Sequence, residues 1–239
     1  YFNVRNNKTI VTRYRMRHVE ILGLGHPRTG TGYTSKVLSD WGLDVGHETS
    51  GKMGIVSWLL VKPKGPYMWQ SGFDRRPTYN HLVYNVRDPK TALASITYTE
   101  SPPCDRDGYS WDGTQFYTEY ERVVKNFNYD STYFRKQFIG LNNNNPVENA
   151  IDSICQFHDM IMNCRPNIKY RIEDEEEKLF EYMKIQYPHI EFTPHPKAEN
   201  TRVHKSFEDM CREFPTPSLK HQQRINEYAE INKYEKVVF

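Results

Sequence analysis

The chain has 239 residues, enough for one large domain whose core needs no disulfide or metal staple. Lys plus Arg number 32 against 30 Asp plus Glu, so the net charge is +2, without the cationic excess of a dedicated nucleic-acid binder. Mean hydropathy is −0.81, yet aromatics reach 14%, too many for a disordered chain, and a polar-surfaced globular fold is expected.

Residues 1–17 form a basic arm, with Arg5, Lys8, Arg13, Arg15 and Arg17 unbalanced by acids, and are read as a solvated lead-in. Residues 18–24 read as a buried strand, and residues 25–32 as a glycine-rich turn. A helix is expected over residues 31–41, where Tyr33, Val37, Leu38 and Trp41 keep helical spacing, with Gly42 ending it. Residues 43–46 read as a second strand that delivers His47 and Glu48. Residues 50–78 are mixed, with Trp58, Tyr67 and Trp69 among glycines and prolines. The longest apolar stretch, residues 55–61, is far short of the ~20 residues of a membrane span. Residues 81–86 are another buried strand, followed by Arg87-Asp88-Pro89 and a helix over residues 90–97. This grammar predicts an α/β fold: a three-layer, P-loop-type parallel sheet flanked by helices, within one domain.

Residues 100–147, with Pro102-Pro103 and an Asn tract, break the rhythm and read as an insertion with helices around 114–127, a lid over an acceptor site. Residues 150–163 are an amphipathic helix and residues 169–172 a last strand. The acidic run at residues 173–177 suits the first turn of a helix reaching residue 186 and is read as solvated. The tail over residues 218–235 reads as helical. Cys104, Cys155, Cys164 and Cys211 form no C-x-x-C pair and read as thiols of a reducing, cytoplasmic compartment.

The most informative stretch is Gly25-His26-Pro27-Arg28-Thr29-Gly30-Thr31-Gly32-Tyr33, between a strand and a helix. Glycines let the backbone curl with its N–H groups inward, and the helix start adds partial positive charge, so the turn suits an anion such as phosphate. Gly25 and Gly30 keep the spacing of the nucleotide-kinase loop, but Thr31 and Gly32 stand where that loop has its Lys and Ser/Thr. The phosphate-reaching amine and the magnesium-holding hydroxyl are missing, so a metal-free site is expected. At the next strand end Arg87 supplies a planar fork, and Ser95, eight residues on, a hydroxyl. Both fall at the sheet edge where α/β folds bind ligands. His47 and Glu48 put a titratable pair near the same edge, which makes them candidates for a general base.

Taken together these residues resemble the sulfotransferases that use 3'-phosphoadenosine 5'-phosphosulfate (PAPS). Pro27-Arg28-Thr29-Gly30-Thr31 is similar to the family's 5'-phosphosulfate loop, and Arg87-Asp88-Pro89 with Ser95 to its 3'-phosphate motif. Tyr170-Arg171-Ile172-Glu173-Asp174 resembles its Tyr-x-x-Glu-Asp strand end. Gly42 to Glu48 resembles the base-bearing segment of bacterial and carbohydrate-directed members. Arg28 stands where the soluble small-molecule branch has Lys, and the C-terminal Arg-Lys-Gly motif has only partial echoes around Arg202 and Lys205. The resemblance therefore implies a divergent microbial, viral or carbohydrate-type enzyme.

It further implies PAPS as cofactor, no metal, and a hydroxyl-bearing sugar or small molecule as acceptor. Pro27, Arg28, Thr29, Gly30, Thr31, Gly32 and Tyr33 are expected to bind the cofactor's 5' end, and Arg87 and Ser95 its 3'-phosphate. Arg28 is expected to stabilise the leaving group, and Glu48, or else His47, to act as the base. Trp58, Trp69, Tyr98, Tyr109 and Trp111 are candidates to shape the acceptor site. The rival readings are a P-loop nucleotide or small-molecule kinase and a non-catalytic PAPS-binding relative.

Overall fold

Leu22 and Leu24 face one side of β1 (His18–Leu24) and Ile21 the other, and all three are fully buried. A strand apolar on both faces belongs inside a sheet covered on both sides. The computed structural model describes residues 18–64, 68–100, 141, 145–195 and 205–239. In it β1, β2 (Val45–His47), β3 (Gly54–Val56), β4 (Thr78–Val86) and β5 (Ile168–Arg171) form one parallel sheet of order β2-β3-β1-β4-β5.

The described residues include six α-helices: α1 (Thr31–Asp40), α2 (Pro89–Glu100), α3 (Pro146–Met162), α4 (Glu176–Gln186), α5 (Phe207–Glu213) and α6 (Leu219–Ile231). Val37 and Leu38 of α1 and Leu179 and Met183 of α4 cover Ile21, Val83 and Tyr170 on one face. Phe157 and Ile161 of α3 cover Leu22, Leu24, Leu82 and Tyr84 on the other. Leu93 and Ile96 of α2, Ile151 and Ile154 of α3, Met210 of α5 and Ile225 of α6 pack into a third cluster behind it. The expected three-layer α/β arrangement is what the chain forms.

Several element boundaries differ from expectation for physical reasons. The second strand is Val45–His47, because Leu43 N–H turns back to the Leu38 carbonyl and so closes α1. The mixed region hides β3, whose three residues run parallel between β2 and β1 and carry little pattern of their own. The fourth strand starts three residues early, at Thr78, where it pairs with His18. α3 begins at Pro146, with Asn145 Oδ1 accepting from Val147 N–H, so the stretch read as an insertion ends inside this helix. A further helix, α5, opens on a capping box made by Ser206 and Asp209. The tail helix stops at Ile231.

The acidic run is not simply solvated. α4 starts only at Glu176, which is 9% exposed and accepts the Tyr33 hydroxyl proton on Oε2 and His195 N–H on Oε1. Glu173 accepts Asp88 N–H on Oε1 at 2.9 Å and the Tyr234 hydroxyl on Oε2 at 2.7 Å. The basic arm, Cys104, Tyr109, Trp111, the helices around 114–127, Arg202 and the side chain of Trp69 lie outside the described residues. Cys155, Cys164 and Cys211 are free thiols.

This topology sets where chemistry can happen. The chain leaves β1 through α1 toward β2 and β3, then crosses to β4 on the other side of β1. The carboxyl ends of β1 and β4 therefore flank the point where the direction of winding reverses, the usual ligand crevice of an open α/β sheet. The turn after β1 holds residues 25–30, and the turn after β4 holds Arg87.

Candidate functional site

The glycine-rich turn takes its shape from three neighbours. Gly30 lies at φ +93°, in the left-handed region, and its carbonyl accepts Thr34 N–H at 2.9 Å to start α1. A Cβ there would come within 2.8 Å of Ile172 Cδ1. Asn85, at the end of β4 and fully buried, donates from Nδ2 to the Thr29 carbonyl at 2.6 Å. A Cβ on Gly25 would lie 2.5 Å from Asn85 Oδ1, so only glycine lets the strand end pass over that amide. His26 is 2% exposed and ties the turn to α3, with Nε2 and Ser153 Oγ 2.8 Å apart and Nδ1 accepting Arg28 N–H at 3.2 Å. Because Nδ1 accepts, Nε2 carries the proton and donates.

These bonds decide which amides remain for an anion. Arg28 N–H goes to His26 Nδ1, and Thr29 N–H goes to the His26 carbonyl at 2.9 Å. Of the residues expected to hold the cofactor's 5' end, Arg28 and Thr29 thus have their amides taken up by His26. The N–H groups of Gly30, Thr31, Gly32 and Tyr33 have no acceptor among the described residues, as befits the first turn of a helix. The positive end of the α1 dipole lies there as well. The Thr29 hydroxyl donates to the His26 carbonyl at 2.9 Å, and the Thr31 hydroxyl lies 3.2 Å from His47 Nε2, so both are engaged within the chain. Pro27 and Gly32 are half-buried in the turn. Tyr33 is turned into the core: burial and the Glu176 carboxylate raise its hydroxyl far above the ordinary tyrosine range.

The two arginines expected at the edge meet there. Arg87 Nη1 donates to the Arg28 carbonyl at 3.1 Å, and Arg28 Nε donates to Ser95 Oγ at 3.0 Å. Arg28, Arg87 and Ser95 are one connected group, with Ser95 nearly buried on α2 and both guanidiniums half-buried. Pro89 starts α2, and Asp88 Oδ2 accepts Thr91 N–H at 3.0 Å, which fixes the helix that carries Ser95. The Tyr228 hydroxyl donates to the Arg87 carbonyl at 3.4 Å.

On the β3 side, Glu48 follows β2 at φ +56°, and its N–H donates to the Val56 carbonyl at 3.0 Å. His47 Nε2 lies 3.6 Å from Glu48 Oε1 and 3.2 Å from Thr31 Oγ1, so the imidazole bridges the carboxylate and the helix start. Partial burial lowers the His47 pKa below the usual histidine range, which leaves it neutral at pH 7.

Sequence reasoning missed Asn85, His26 and Ser57. His26 and Asn85 each sit beside a named motif and were legible as buried polar residues. Ser57 carries no motif. Of the acceptor aromatics, Trp58 packs on the core near Phe157, and the Tyr98 hydroxyl donates to Glu213 Oε2 at 3.2 Å. Lys205 pairs with Glu213 at 2.8 Å and lies over the Tyr98 ring, on the contact between α2 and α5.

No family model and no curated protein matches this sequence. Among solved structures, the chain is similar to mouse sulfotransferase SULT7A1 complexed with PAP, at 13% identity and a TM-score of 0.30. That match covers 72% of this chain and 58% of the mouse chain, so it spans less than two thirds of the mouse protein.

Proposed function

We propose that the chain is a sulfotransferase that moves a sulfuryl group from PAPS to a hydroxyl of a sugar or small-molecule alcohol. The observation that carries this reading is the meeting of Arg28, Arg87 and Ser95 beside a helix start that offers four N–H groups. Two guanidiniums, a hydroxyl and an amide cradle at one edge suit a nucleotide with anionic groups at both ends of its ribose. Thr31 and Gly32, in place of Lys and Ser/Thr, favour such a ligand over magnesium-bound ATP.

PAPS, when bound, supplies a sulfonate activated by its phosphate leaving group. The Gly30 to Tyr33 amides orient the anionic 5' end at the positive pole of α1. Arg28 would counter the negative charge that grows on the departing phosphate, an effect of about 10² to 10³ in rate. Arg87 and Ser95 hold the 3'-phosphate and set the register of the nucleotide on the sheet edge. Glu48 takes the proton of the acceptor hydroxyl, a contribution of about 10² to 10⁴. His47, neutral and between loop and carboxylate, is the second group able to accept it.

The test is calorimetric titration with 3'-phosphoadenosine 5'-phosphate (PAP) in the absence of divalent ions, against ADP with magnesium. Tighter binding of PAP is the expected result. Preference for ADP with magnesium would overturn the reading in favour of a kinase. Transfer of label from PAPS to members of an acceptor panel then separates an enzyme from a binding protein.

A further inference from the structure

β2 and β3 are parallel neighbours with His47 opposite Val56, so the next residues, Glu48 and Ser57, emerge side by side at the carboxyl edge of the sheet. Ser57 is fully buried, and its hydroxyl donates to Glu48 Oε2 at 2.5 Å. Ser57 Oγ in turn accepts Leu59 N–H at 3.2 Å and lies 3.3 Å from the hydroxyl of Ser71, itself 2% exposed.

A serine hydroxyl has one proton and two lone pairs. Leu59 N–H can only donate, and it takes one lone pair. An ionised carboxylate can only accept, so the single Ser57 proton points at Glu48. Ser71 must then be the donor into the second lone pair. Every hydrogen-bonding capacity of Ser57 is thus committed, and its proton has no alternative acceptor in this arrangement. The carboxylate is held from two directions, by its backbone through the Val56 carbonyl and by its side chain through Ser57. Oε1 is left on the side of His47 and the helix start.

We infer that Ser57, oriented by Ser71, is a positioning residue for the Glu48 carboxylate: it keeps one oxygen in a fixed, donated hydrogen bond and so holds the other beside His47. The functional meaning of this assignment rests on Glu48 being the base of the proposed transfer. The hydrogen-bond relay does not. Three oxygens in sequence, from Ser71 through Ser57 to Glu48, link the short 3-10 turn at Met68–Ser71 to the end of β2. A hydrogen bond donated to the ionised form lowers a carboxyl pKa, so its loss raises it.

The experiment is a carbon-13 NMR titration of the full chain labelled at glutamate side-chain carboxyls, with the Glu48 signal assigned by its disappearance in Glu48→Gln. Ser57→Ala is expected to raise the Glu48 midpoint by about one pH unit, a tenfold gain in proton affinity. Ser71→Ala is expected to move it the same way by less. His47 Nε2, 3.6 Å from Oε1, is present in the wild-type chain and in both serine variants, so a difference between them reports the serine removed. If Ser57→Ala does not fold, Ser57→Cys keeps the side-chain shape with a weaker donor, and the same upward shift is expected. An unchanged midpoint in a folded Ser57 variant overturns the assignment. Failure of PAP to bind the wild-type chain overturns the sulfotransferase reading and leaves this midpoint shift unaffected, so the two failures are distinct.

Discussion

The backbone N–H of Asp88 donates to Glu173 Oε1 at 2.9 Å, which ties the turn after β4 to the turn after β5. The other carboxylate oxygen accepts the Tyr234 hydroxyl, and Tyr234 also lies against the Arg171 guanidinium. One acid therefore fixes the peptide that follows Arg87. Glu173→Ala leaves an amide and a phenol without this acceptor. The expected loss is about 1–3 kcal/mol of stability, read by urea unfolding, together with weaker PAP binding as Arg87 loses its fixed base. A variant with unchanged unfolding and unchanged PAP affinity would show that the brace is idle.

Arg87 itself is expected to matter through its fork. Arg87→Ala removes a charge-assisted contact worth about 1.5–3 kcal/mol, or roughly 10- to 100-fold in PAP affinity. Arg87→Lys should recover only part of it, because an ammonium cannot hold both the Arg28 carbonyl and a phosphate in one plane. Affinity for a nucleotide without the 3'-phosphate should change little in either variant. Calorimetry with PAP and with adenosine 5'-phosphate reads both.

Glu48→Gln keeps the shape of the side chain and removes the proton acceptor. Turnover is expected to fall by about 10² to 10⁴ while PAP affinity stays unchanged. Retention of full turnover, with the fold intact by circular dichroism, passes the role of base to His47.

Gly30→Ala tests the turn. Its left-handed φ of +93° costs an L-residue about 1–2 kcal/mol, and the new methyl meets Ile172 Cδ1 at 2.8 Å. A lowered thermal midpoint is expected, with partial recovery in the Gly30→Ala, Ile172→Val pair, which opens space but leaves the backbone strain.

His158 predicts an acid limb of stability. Its Nδ1 lies 2.8 Å from the Tyr84 hydroxyl, and burial, with Lys169 adding to it, lowers its pKa to about 4. Above the ordinary histidine value of about 6.5 both folded and unfolded chains carry it neutral, so it has no effect there. As pH falls below that value the unfolded chain takes up the proton first. Stability is therefore lost between about pH 6.5 and pH 4, by about 3 kcal/mol in all. His158→Gln should flatten this part of the profile in urea unfolding measured across that range.

Much of this arrangement was legible from residue types in order. The run from His18 to Leu24 announced a central strand because it is apolar on both faces, and α1 and α3 announced themselves by spacing. The glycine-rich turn was legible because left-handed glycine and a helix start leave a local signature. β3 was not, since three residues paired on both sides need no pattern of their own. Ser57 was invisible for a related reason: its partner Glu48 is fixed by register between two parallel strands, a long-range fact. The acidic run misled because its composition suits solvent, while the fold turns Glu173 and Glu176 inward toward Tyr234 and Tyr33.

Asn85 carries a consequence for protein engineering. It belongs to β4, 56 residues after the Thr29 carbonyl it holds, and His26 leans on Ser153, 127 residues away. The Pro27 to Gly32 stretch is thus not a portable cassette. Grafted onto another strand and helix, it would carry its glycines but not its curvature, and a working transplant would have to bring the asparagine and the serine with it.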